Sequence, residues 1–454
     1  MPTWIDDAIF YHIYPLGLLD ALGAGAGEVQ RHRLRSIHEW TDHIRTLGCT
    51  ALYLGPVFAS ATHGYDTTDY TRVDPRLGDN QDLADLVAHC HGAGIRVVLD
   101  GVFNHVGREF PAFRDVLDHG EASPYRDWFA DLAFGQQSPL GDPFTYTAWA
   151  GNFELVKLNL ANADVRAHLF AAVRMWFAGF GIDGIRFDAA DSIDQDFLRE
   201  MAAVCREANP ECWLMGEVVH GDYREWAGPG MLDSCTNYEC FKGLYSSFND
   251  RNMHEIGWSL NRQFGPEGIY RDLRLYAFAD NHDVDRVASL LTRTGDLASL
   301  YTVLFSMPGV PAIYYGSEWG IRGEKHDGND APLRPAFAWP VSEHEIPEPW
   351  LVPHIARLAE IRRGAPALRH GDYAQLHVAS EQLAFLRMAD RDIAVVVVNA
   401  GEAAVSLDLS VAVPDGTVLT DQLDPTVSAT VAAGSLTVSL VPDSARILTG
   451  STRG

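Results

Sequence analysis

Short apolar segments rich in β-branched and aromatic residues alternate along this chain with longer segments in which apolar positions recur at helical spacing. The longer segments include 82–91, 164–180, 194–208 and 296–306, which predict amphipathic helices, several of them opening with Asp or Asn as a candidate N-cap. The short segments predict eight strands, at 9–14, 51–54, 95–100, 184–188, 213–217, 234–237, 275–280 and 312–315. Eight strand–helix repeats indicate an α/β fold, a (β/α)8 TIM barrel.

The alternation is interrupted twice. Between about 105 and 160, Pro, Gly, Asp and aromatic residues accumulate without a sustained period, which predicts a small inserted subdomain after the third strand. From about 373, short alternating or apolar segments are separated by turn residues, which predicts a C-terminal antiparallel β-sandwich. The predicted domains are therefore the barrel, 1–104 and 160–372, the inserted subdomain, 105–159, and the C-terminal domain, 373–454.

Composition indicates a globular protein and excludes some classes of binding partner. The 454 residues are 47% hydrophobic and 21% charged, and 35 basic against 61 acidic residues give a formal net charge of −26. Such acidity repels phosphate backbones and anionic lipid surfaces, and no apolar run approaches the roughly 20 residues that span a bilayer. We therefore expect no nucleic acid and no membrane partner, and solubility alone is the simplest reason for the acidity.

The cysteines and the N-terminus bear on the cellular compartment. The six cysteines form no C-x-x-C pair and no metal-ligand spacing, so we expect reduced, mostly buried thiols. The first residues contain no basic region followed by an apolar stretch, and therefore no visible secretory signal. The expected location is cytoplasmic.

Polar residues that close an apolar strand are candidate catalysts, because the C-terminal ends of barrel strands converge on one cleft. In the fourth predicted strand, Arg186 and Asp188 point to the same side, and an arginine beside a carboxylate favours the ionised form that a nucleophile needs. Glu217 closes the apolar fifth strand, where desolvation favours the protonated form of a general acid.

Three further groups, His105, His282 and Asp283, follow the third and seventh predicted strands. Taken singly, a carboxylate at a strand end is more often a helix N-cap or a loop hydrogen-bonding group. Six such groups where four strands leave one barrel indicate a catalytic site much more strongly.

Four segments carry a resemblance to a known family. D-G-V-F-N-H at 100–105, G-I-R-F-D at 184–188, G-E-V at 216–218 and F-A-D-N-H-D at 278–283 resemble, in order and spacing, the four main signature segments of the α-amylase superfamily, glycoside hydrolase family 13. The resemblance covers essentially the whole chain. It implies a barrel enzyme that hydrolyses α-glucosidic bonds with retention of configuration.

The resemblance also implies roles for individual residues. Asp188 is the implied nucleophile that forms a covalent glucosyl intermediate, Glu217 the acid/base, and Asp283 the carboxylate that stabilises the transition state. The implied substrate-binding residues are His63, Tyr65, His105, Arg186, His282, Asp330 and Arg334. Tyr65 would stack on the reacting glucose, and Asp330 with Arg334 would form an ion pair at the same subsite. Ordinary loop packing or a surface ion pair is the alternative for these three residues.

No cofactor is required by this chemistry. Asn104 matches a position that binds calcium in many α-amylases, whereas neopullulanase-like enzymes often lack that site. The side-chain amide could instead brace the loop through hydrogen bonds, which is the interpretation we favour. We therefore expect no metal, with Asn104 as a candidate ligand only if calcium is bound.

Subgroup markers narrow the implied activity. L-V-K-L-N at 155–159 resembles the M-P-K-L-N marker of the neopullulanase and cyclomaltodextrinase group, and H-G-Y-D-T-T-D-Y at 63–70 is also similar to that group. The chain departs from the group in two ways. Its first strand begins within ten residues, so we expect no N-terminal β-domain, and a homodimer, if formed, would not depend on that domain. Val219 stands where the group commonly has an aromatic residue.

The implied substrate is an α-glucan oligosaccharide, either a small cyclic or a short linear maltooligosaccharide. Cyclic maltosyl-maltose hydrolases, which also lack the N-terminal domain, are the related enzymes to which these features point. Two alternatives stay open: a transglycosylase or glucosyl isomerase with the same catalytic carboxylates, and a non-catalytic glucan-binding protein. The first would differ at its acceptor subsites, and the second would bind α-glucans without releasing reducing sugar.

Overall fold

The computed structural model of the protein describes residues 2–23 and 31–452. Eight parallel strands form one sheet: β1 (Phe10–Ile13), β2 (Ala51–Leu54), β3 (Arg96–Gly101), β4 (Gly184–Phe187), β5 (Trp213–Gly216), β6 (Ser234–Cys235), β7 (Tyr276–Phe278) and β8 (Val310–Tyr314). Their spatial order is β6–β5–β4–β3–β2–β1–β8–β7, and a parallel bridge between Thr236 and Tyr276 joins the two ends into a ring. Each strand overlaps one predicted segment, and the predicted barrel is confirmed.

The α-helices of the described residues are α1 (Pro15–Leu18), α2 (Thr41–Thr46), α3 (Asn80–Gly92), α4 (Pro111–His119), α5 (Ala163–Met175), α6 (Gln195–Ala208), α7 (Tyr238–Asn249), α8 (His254–Phe264), α9 (Val287–Leu290), α10 (Asp296–Ser306), α11 (Leu351–Gly364) and α12 (Pro366–His370). The four predicted helices are present. Asp194 caps α6 as predicted, whereas α3 and α5 begin slightly earlier than predicted and are capped by Asp79 and Asn162.

The barrel interior is filled by large apolar side chains, and its short strands are buried apart from Arg96 at the start of β3. Phe10 of β1 and Trp213 of β5 lie across the interior with ring centroids 5.0 Å apart, and Tyr53 and Tyr276 belong to the same apolar cluster. Side chains of the opposite alternation face the surrounding helices. Polar groups are therefore concentrated at the C-terminal ends of the strands, as with Asp100 in β3 and Arg186 in β4.

An irregular segment follows β3. It contains α4 and a three-stranded antiparallel sheet of His105–Gly107, Asn152–Lys157 and Ala148–Trp149. A second short pairing joins Ala133–Phe134 to Phe144–Thr145. The predicted domain boundaries, at 105–159 and from 373 onwards, stay predictions.

The C-terminal part of the chain is an antiparallel β-sandwich. Its strands are β9 (Asp372–Val378), β10 (Gln382–Ala389), β11 (Asp392–Asn399), β12 (Val405–Ser410), β13 (Val418–Asp421), β14 (Ser428–Thr430), β15 (Ser435–Leu440) and β16 (Ser444–Ser451). Six of them form a sheet in the order β9–β10–β11–β16–β13–β14, and β12 pairs with β15. Apolar side chains of both sheets, including Leu386, Val395, Leu409 and Leu436, form one buried cluster.

Two expectations about the chain as a whole can be compared with the described residues. All six cysteines are buried and unpaired, in agreement with the predicted free thiols. Among residues 2–23 and 31–452, no helix is both long enough and apolar enough to cross a bilayer.

Candidate active site

A cleft of about 650 Å³ opens where the barrel strands end. Eight of the ten predicted catalytic and substrate-binding residues line it: His63, Tyr65, His105, Asp188, Glu217, Asp283, Asp330 and Arg334. The other two, Arg186 and His282, are buried and contact the lining carboxylates. The structure therefore brings all ten residues to one site.

The backbone ladder of the barrel extends to the first two carboxylates. The Asp188 amide donates to the Gly101 carbonyl at 3.0 Å, and the Glu217 amide donates to the Phe187 carbonyl at 2.9 Å. Ala189 then adopts a left-handed conformation with φ of 45°, which is unfavourable for a residue with a side chain. This turn aims the Ala189 N–H at Glu217 Oε2, 3.1 Å away, so the strained residue helps to position Glu217.

Arg186 joins the two central carboxylates. Its Nη1 donates to Asp188 Oδ1 at 3.0 Å, and its Nη2 lies 2.8 Å from Glu217 Oε1. The side chain is 3% exposed, so these contacts are formed away from bulk water. A single planar guanidinium therefore fixes the relative position of Asp188 and Glu217.

Asp100, at the end of β3, anchors this arginine. Both of its carboxylate oxygens accept from Arg186 Nη1, at 2.9 and 3.0 Å. Its Oδ2 also accepts from the hydroxyls of Tyr53, at 2.8 Å, and Tyr65, at 3.0 Å. Asp100 thus connects the guanidinium between Asp188 and Glu217 to the aromatic wall of the cleft.

Burial and like charges set the ionisation of Asp188. Burial raises the pKa of Asp188, Arg186 lowers it, and the negative charges of Glu217, Asp100 and Asp283 raise it again. The balance is a pKa well above the ordinary value of a carboxyl group. The expectation that Arg186 keeps Asp188 ionised is therefore incomplete, because it left out the cost of removing the carboxylate from water.

Asp283 lies in the opposite electrostatic setting. His282 Nε2 is 2.9 Å from Asp283 Oδ2, and Arg334 Nη2 donates to Asp283 Oδ1 at 2.8 Å. Burial acts to raise the pKa of Asp283, but His282 and Arg334 outweigh it and hold that pKa below its ordinary value. Arg334 also pairs with Asp330 at 3.0 Å, and Lys325 pairs with the other oxygen of Asp330 at 2.8 Å.

Tyr65 is fixed by its neighbours. Its ring stacks on His282, with centroids 5.5 Å apart and planes inclined by 8°, and its hydroxyl contacts His282 Nε2. Tyr14 stacks on His282 as well, at 5.6 Å. His63 Nδ1 accepts from the Tyr65 amide at 3.2 Å. The predicted Tyr65 platform is thus rigid and faces the cleft with little of its own surface exposed.

His105 offers a neutral imidazole. Burial lowers the pKa of His105 to about 3, so the ring carries no charge near neutral pH. Its ring lies 5.3 Å from that of Trp149, and its Nε2, 3.9 Å from Asp188 Oδ2, has no hydrogen-bond partner among the described residues. This nitrogen is a buried polar atom that a ligand hydroxyl would satisfy.

Asn104 does not by itself provide a calcium site. Its side-chain nitrogen lies 3.2 Å from His105 Nδ1, and its Oδ1 is a buried oxygen without a partner in the part of the chain that the structure describes. Calcium takes six to eight oxygen ligands, and one orphaned oxygen does not supply that set. The contact with His105 fits the loop-bracing interpretation.

Several contacts at the site were missed by the sequence reasoning. The Tyr238 hydroxyl donates to Glu217 Oε1 at 3.3 Å and accepts from Asn281 Nδ2 at 3.1 Å. Tyr238 comes soon after β6, so applying the strand-end rule to the sixth strand would have selected it. Asn281 directly precedes His282 in the segment at 278–283, where only the imidazole and the carboxylate were selected. Trp149 lies in the irregular segment after β3, where no periodic signal marked it.

Comparison with known proteins agrees with this geometry. A family model described as the alpha amylase catalytic domain matches residues 12–345. A cyclomaltodextrinase of Bacillus sp is 34% identical over 429 residues, covering 89% of this chain and 75% of that protein. Neopullulanase 2 of Thermoactinomyces vulgaris is 32% identical over 431 residues, covering 88% and 71% respectively.

Solved structures give the same result. The ligand-free cyclic α-maltosyl-(1→6)-maltose hydrolase from Arthrobacter globiformis has a TM-score of 0.83 and 28% sequence identity, covering 99% of this chain and 100% of that chain. The family model, the sequence relatives and the shared barrel all include the segments that hold Asp188, Glu217 and Asp283. This chain therefore belongs to the alpha-amylase family of glycoside hydrolases.

Proposed function

We propose that this protein hydrolyses α-glucosidic bonds of small cyclic or short linear maltooligosaccharides with retention of configuration, through a covalent glycosyl-enzyme intermediate. The observation that carries the proposal is the guanidinium of Arg186, which contacts both Asp188 and Glu217. Retaining glycosidases need a nucleophile and an acid/base about 5 Å apart, and one bridging group is compatible with that short separation.

In the proposed first step, Glu217 gives a proton to the glycosidic oxygen while Asp188 attacks the anomeric carbon. The leaving sugar departs, and a bond forms between the anomeric carbon and the Asp188 carboxylate. Arg186 opposes the effect of burial and stabilises the ionised form of Asp188, which is the form that attacks. In the second step, Glu217 takes a proton from water, which attacks the same carbon and releases Asp188.

The remaining residues are proposed to bind the sugar at the bond that breaks. Asp283, held ionised by His282 and Arg334, offers a negative charge to the oxocarbenium-like transition state. Tyr65 presents an aromatic ring to the apolar face of the sugar. The neutral His105 can donate from Nε2 to a sugar hydroxyl, because the Asn104 side-chain nitrogen donates to its Nδ1 and Nε2 has no partner among the described residues.

The substrate class rests on the names of the similar proteins. A cyclomaltodextrinase, a neopullulanase and a cyclic maltosyl-maltose hydrolase all have the same catalytic domain or barrel, which favours small α-glucans over polymeric starch. Chromatography of products from cyclodextrins, pullulan, maltotriose, cyclic maltosyl-maltose and isomaltose would identify the preferred substrate. Transfer products that dominate at low substrate concentration would instead support a transglycosylase.

Two carboxylate variants test the proposed roles. Asp188→Asn and Glu217→Gln should each lower kcat on the preferred substrate by about 10⁴-fold or more, because they remove the nucleophile and the acid/base. Asp196→Asn is a matched control, since Asp196 lies on α6 and pairs with Arg199 on the surface. Full activity in the Asp188 and Glu217 variants would disprove the proposal.

A further inference from the structure

A second depression continues from the cleft past Glu217. It has a volume of about 570 Å³, and Val219 and Tyr238 line both the depression and the cleft. One wall is the segment after β5, with His220, Gly221 and Tyr223, and the other is formed by α7 and α8. We call it the α7–α8 groove, defined by Tyr238, Phe241, Tyr245 and Trp258. The groove is therefore an extension of the catalytic cleft and not a separate pocket.

The direction of the groove follows from the helix that forms it. α7 begins at Tyr238, whose hydroxyl is 3.3 Å from Glu217 Oε1. Phe241, Lys242 and Tyr245 follow at intervals of three, four and seven residues, which places them on one face of the helix. This face rises by about 10 Å from Tyr238 to Tyr245. The aromatic wall thus leads away from the carboxylate that is proposed to protonate the leaving group.

Trp258 of α8 completes the groove. Its side chain is 62% exposed, the largest value among the exposed large hydrophobic residues of the described chain. The ring is nevertheless held in place, because the Arg262 guanidinium lies 5.5 Å from its centroid and donates to Glu239 Oε2 at 2.6 Å. An aromatic ring that is exposed and already ordered can stack on a ligand without a large entropic cost.

The polar groups of the groove suit a neutral, hydroxyl-rich ligand. Glu239 belongs to the groove wall, and its Oε1 is a buried oxygen without a hydrogen-bond partner in the described residues, which a ligand hydroxyl would satisfy. Lys242 pairs with Glu255, so its positive charge is already compensated and does not favour an anionic ligand. A sugar offers hydroxyls at its edge and an apolar face to an aromatic ring, which matches this combination of an acceptor with Trp258.

We propose that the α7–α8 groove binds the leaving-group side of an α-glucan chain, beyond the sugar units held at the bond that breaks, with Trp258 as its stacking platform. The inference rests on the proposed function, because it takes Glu217 as the group that protonates the leaving oxygen. A chain that extends from that oxygen past Tyr238 would follow α7 into the groove. Longer chains would then gain binding energy that short chains cannot reach.

The test compares substrate lengths in a Trp258→Ala variant. The kcat/KM for maltoheptaose should fall about three- to tenfold through a higher KM, the loss of one aromatic stacking contact, while the kcat/KM for maltotriose stays the same. Trp258→Phe should keep most of the activity on maltoheptaose. Trp350→Ala is the matched control, because Trp350 is also exposed, at 40%, and lines neither the cleft nor the groove.

Equal effects of Trp258→Ala on both substrates, or no effect on either, would overturn the inference. So would a change of oligomeric state in that variant without a change in length preference, since the groove would then be a contact between two copies. A binding measurement separates this inference from the proposed function. Titration of the Asp188→Asn variant with maltoheptaose should change its tryptophan fluorescence. Adding Trp258→Phe to that variant should remove the part of the change that comes from Trp258. Both results are independent of whether the wild-type protein hydrolyses the substrate. The absence of a Trp258-dependent signal would reject the proposal that the α7–α8 groove binds the chain.

Discussion

Asp100→Asn is the substitution through which the geometry of this site can be examined most closely. Asp100 is 1% exposed and accepts hydrogen bonds from Arg186, Tyr53 and Tyr65. Arg186 Nη1 is close to both carboxylate oxygens, at 2.9 and 3.0 Å. Either orientation of an asparagine would therefore put an amide nitrogen beside this donor, and the buried guanidinium would lose part of its compensating charge.

The loss of stability and of activity in Asp100→Asn depends on which ion-pair partners Arg186 keeps. Removing one partner of a buried ion pair costs roughly 3–5 kcal/mol when the other charge is left alone. Arg186 keeps Asp188 and Glu217, so we expect the free energy of unfolding to fall by about 2–3 kcal/mol. We also expect kcat to fall about 10²-fold with a smaller change in KM, because Arg186 positions both reacting carboxylates.

Urea denaturation and steady-state kinetics on a maltooligosaccharide would measure the two effects. Tyr53→Phe is the control, because it removes one neutral donor from Asp100 and leaves Arg186 in place; its cost should be about 0.5–1.5 kcal/mol. If Asp100→Asn matched the control in both stability and kcat, Asp100 would not anchor the guanidinium and the reasoning would be wrong.

Two further predictions concern pH. Burial raises the pKa of Asp188 in the folded protein above its value of about 4 in the unfolded chain. The ionisation of Asp188 therefore lowers the free energy of unfolding as pH rises above about 4, and the loss is complete above the native pKa. Asp188→Asn should therefore raise Tm more at pH 7 than at pH 4, and an equal shift at both would contradict this. Asp283 has the opposite sign: its low pKa contributes stability above about pH 4 that is lost as pH falls through the native pKa. Arg334→Met should thus lower Tm more at pH 7 than at pH 3, and a loss that did not depend on pH would argue against the Asp283–Arg334 pair.

The barrel was predictable because each strand is a short apolar segment and each is followed by a helix with its own period. The same regularity exposed Asp188, Glu217 and Asp283, since a polar residue directly after an apolar strand stands out in the sequence. Eight of the ten predicted site residues line one cleft, and the other two lie buried beside it. His63, Tyr65, Asp330 and Arg334 were predicted from the family resemblance and not from this regularity.

Other features depend on distances that a sequence does not contain. Asp100 was noted only as the end of a strand, because its contacts with Tyr53, Tyr65 and Arg186 join segments far apart in the chain. The raised pKa of Asp188 depends on how completely the surrounding side chains exclude water. The α7–α8 groove depends on the packing of two helices, because Tyr245 of α7 and Trp258 of α8 line the same depression.

The central claim is that Asp188 forms the covalent bond to the sugar and that Glu217 is needed to break it. The most direct measurement is mass spectrometry of the Glu217→Gln variant after incubation with an α-glucosyl fluoride, whose fluoride leaves without a proton from the enzyme. The account predicts one added glucosyl group on the peptide that contains Asp188, and none when Asp188→Asn is also present. A glucosyl group on another residue, or turnover of the fluoride without any covalent adduct and with inversion of configuration, would contradict it.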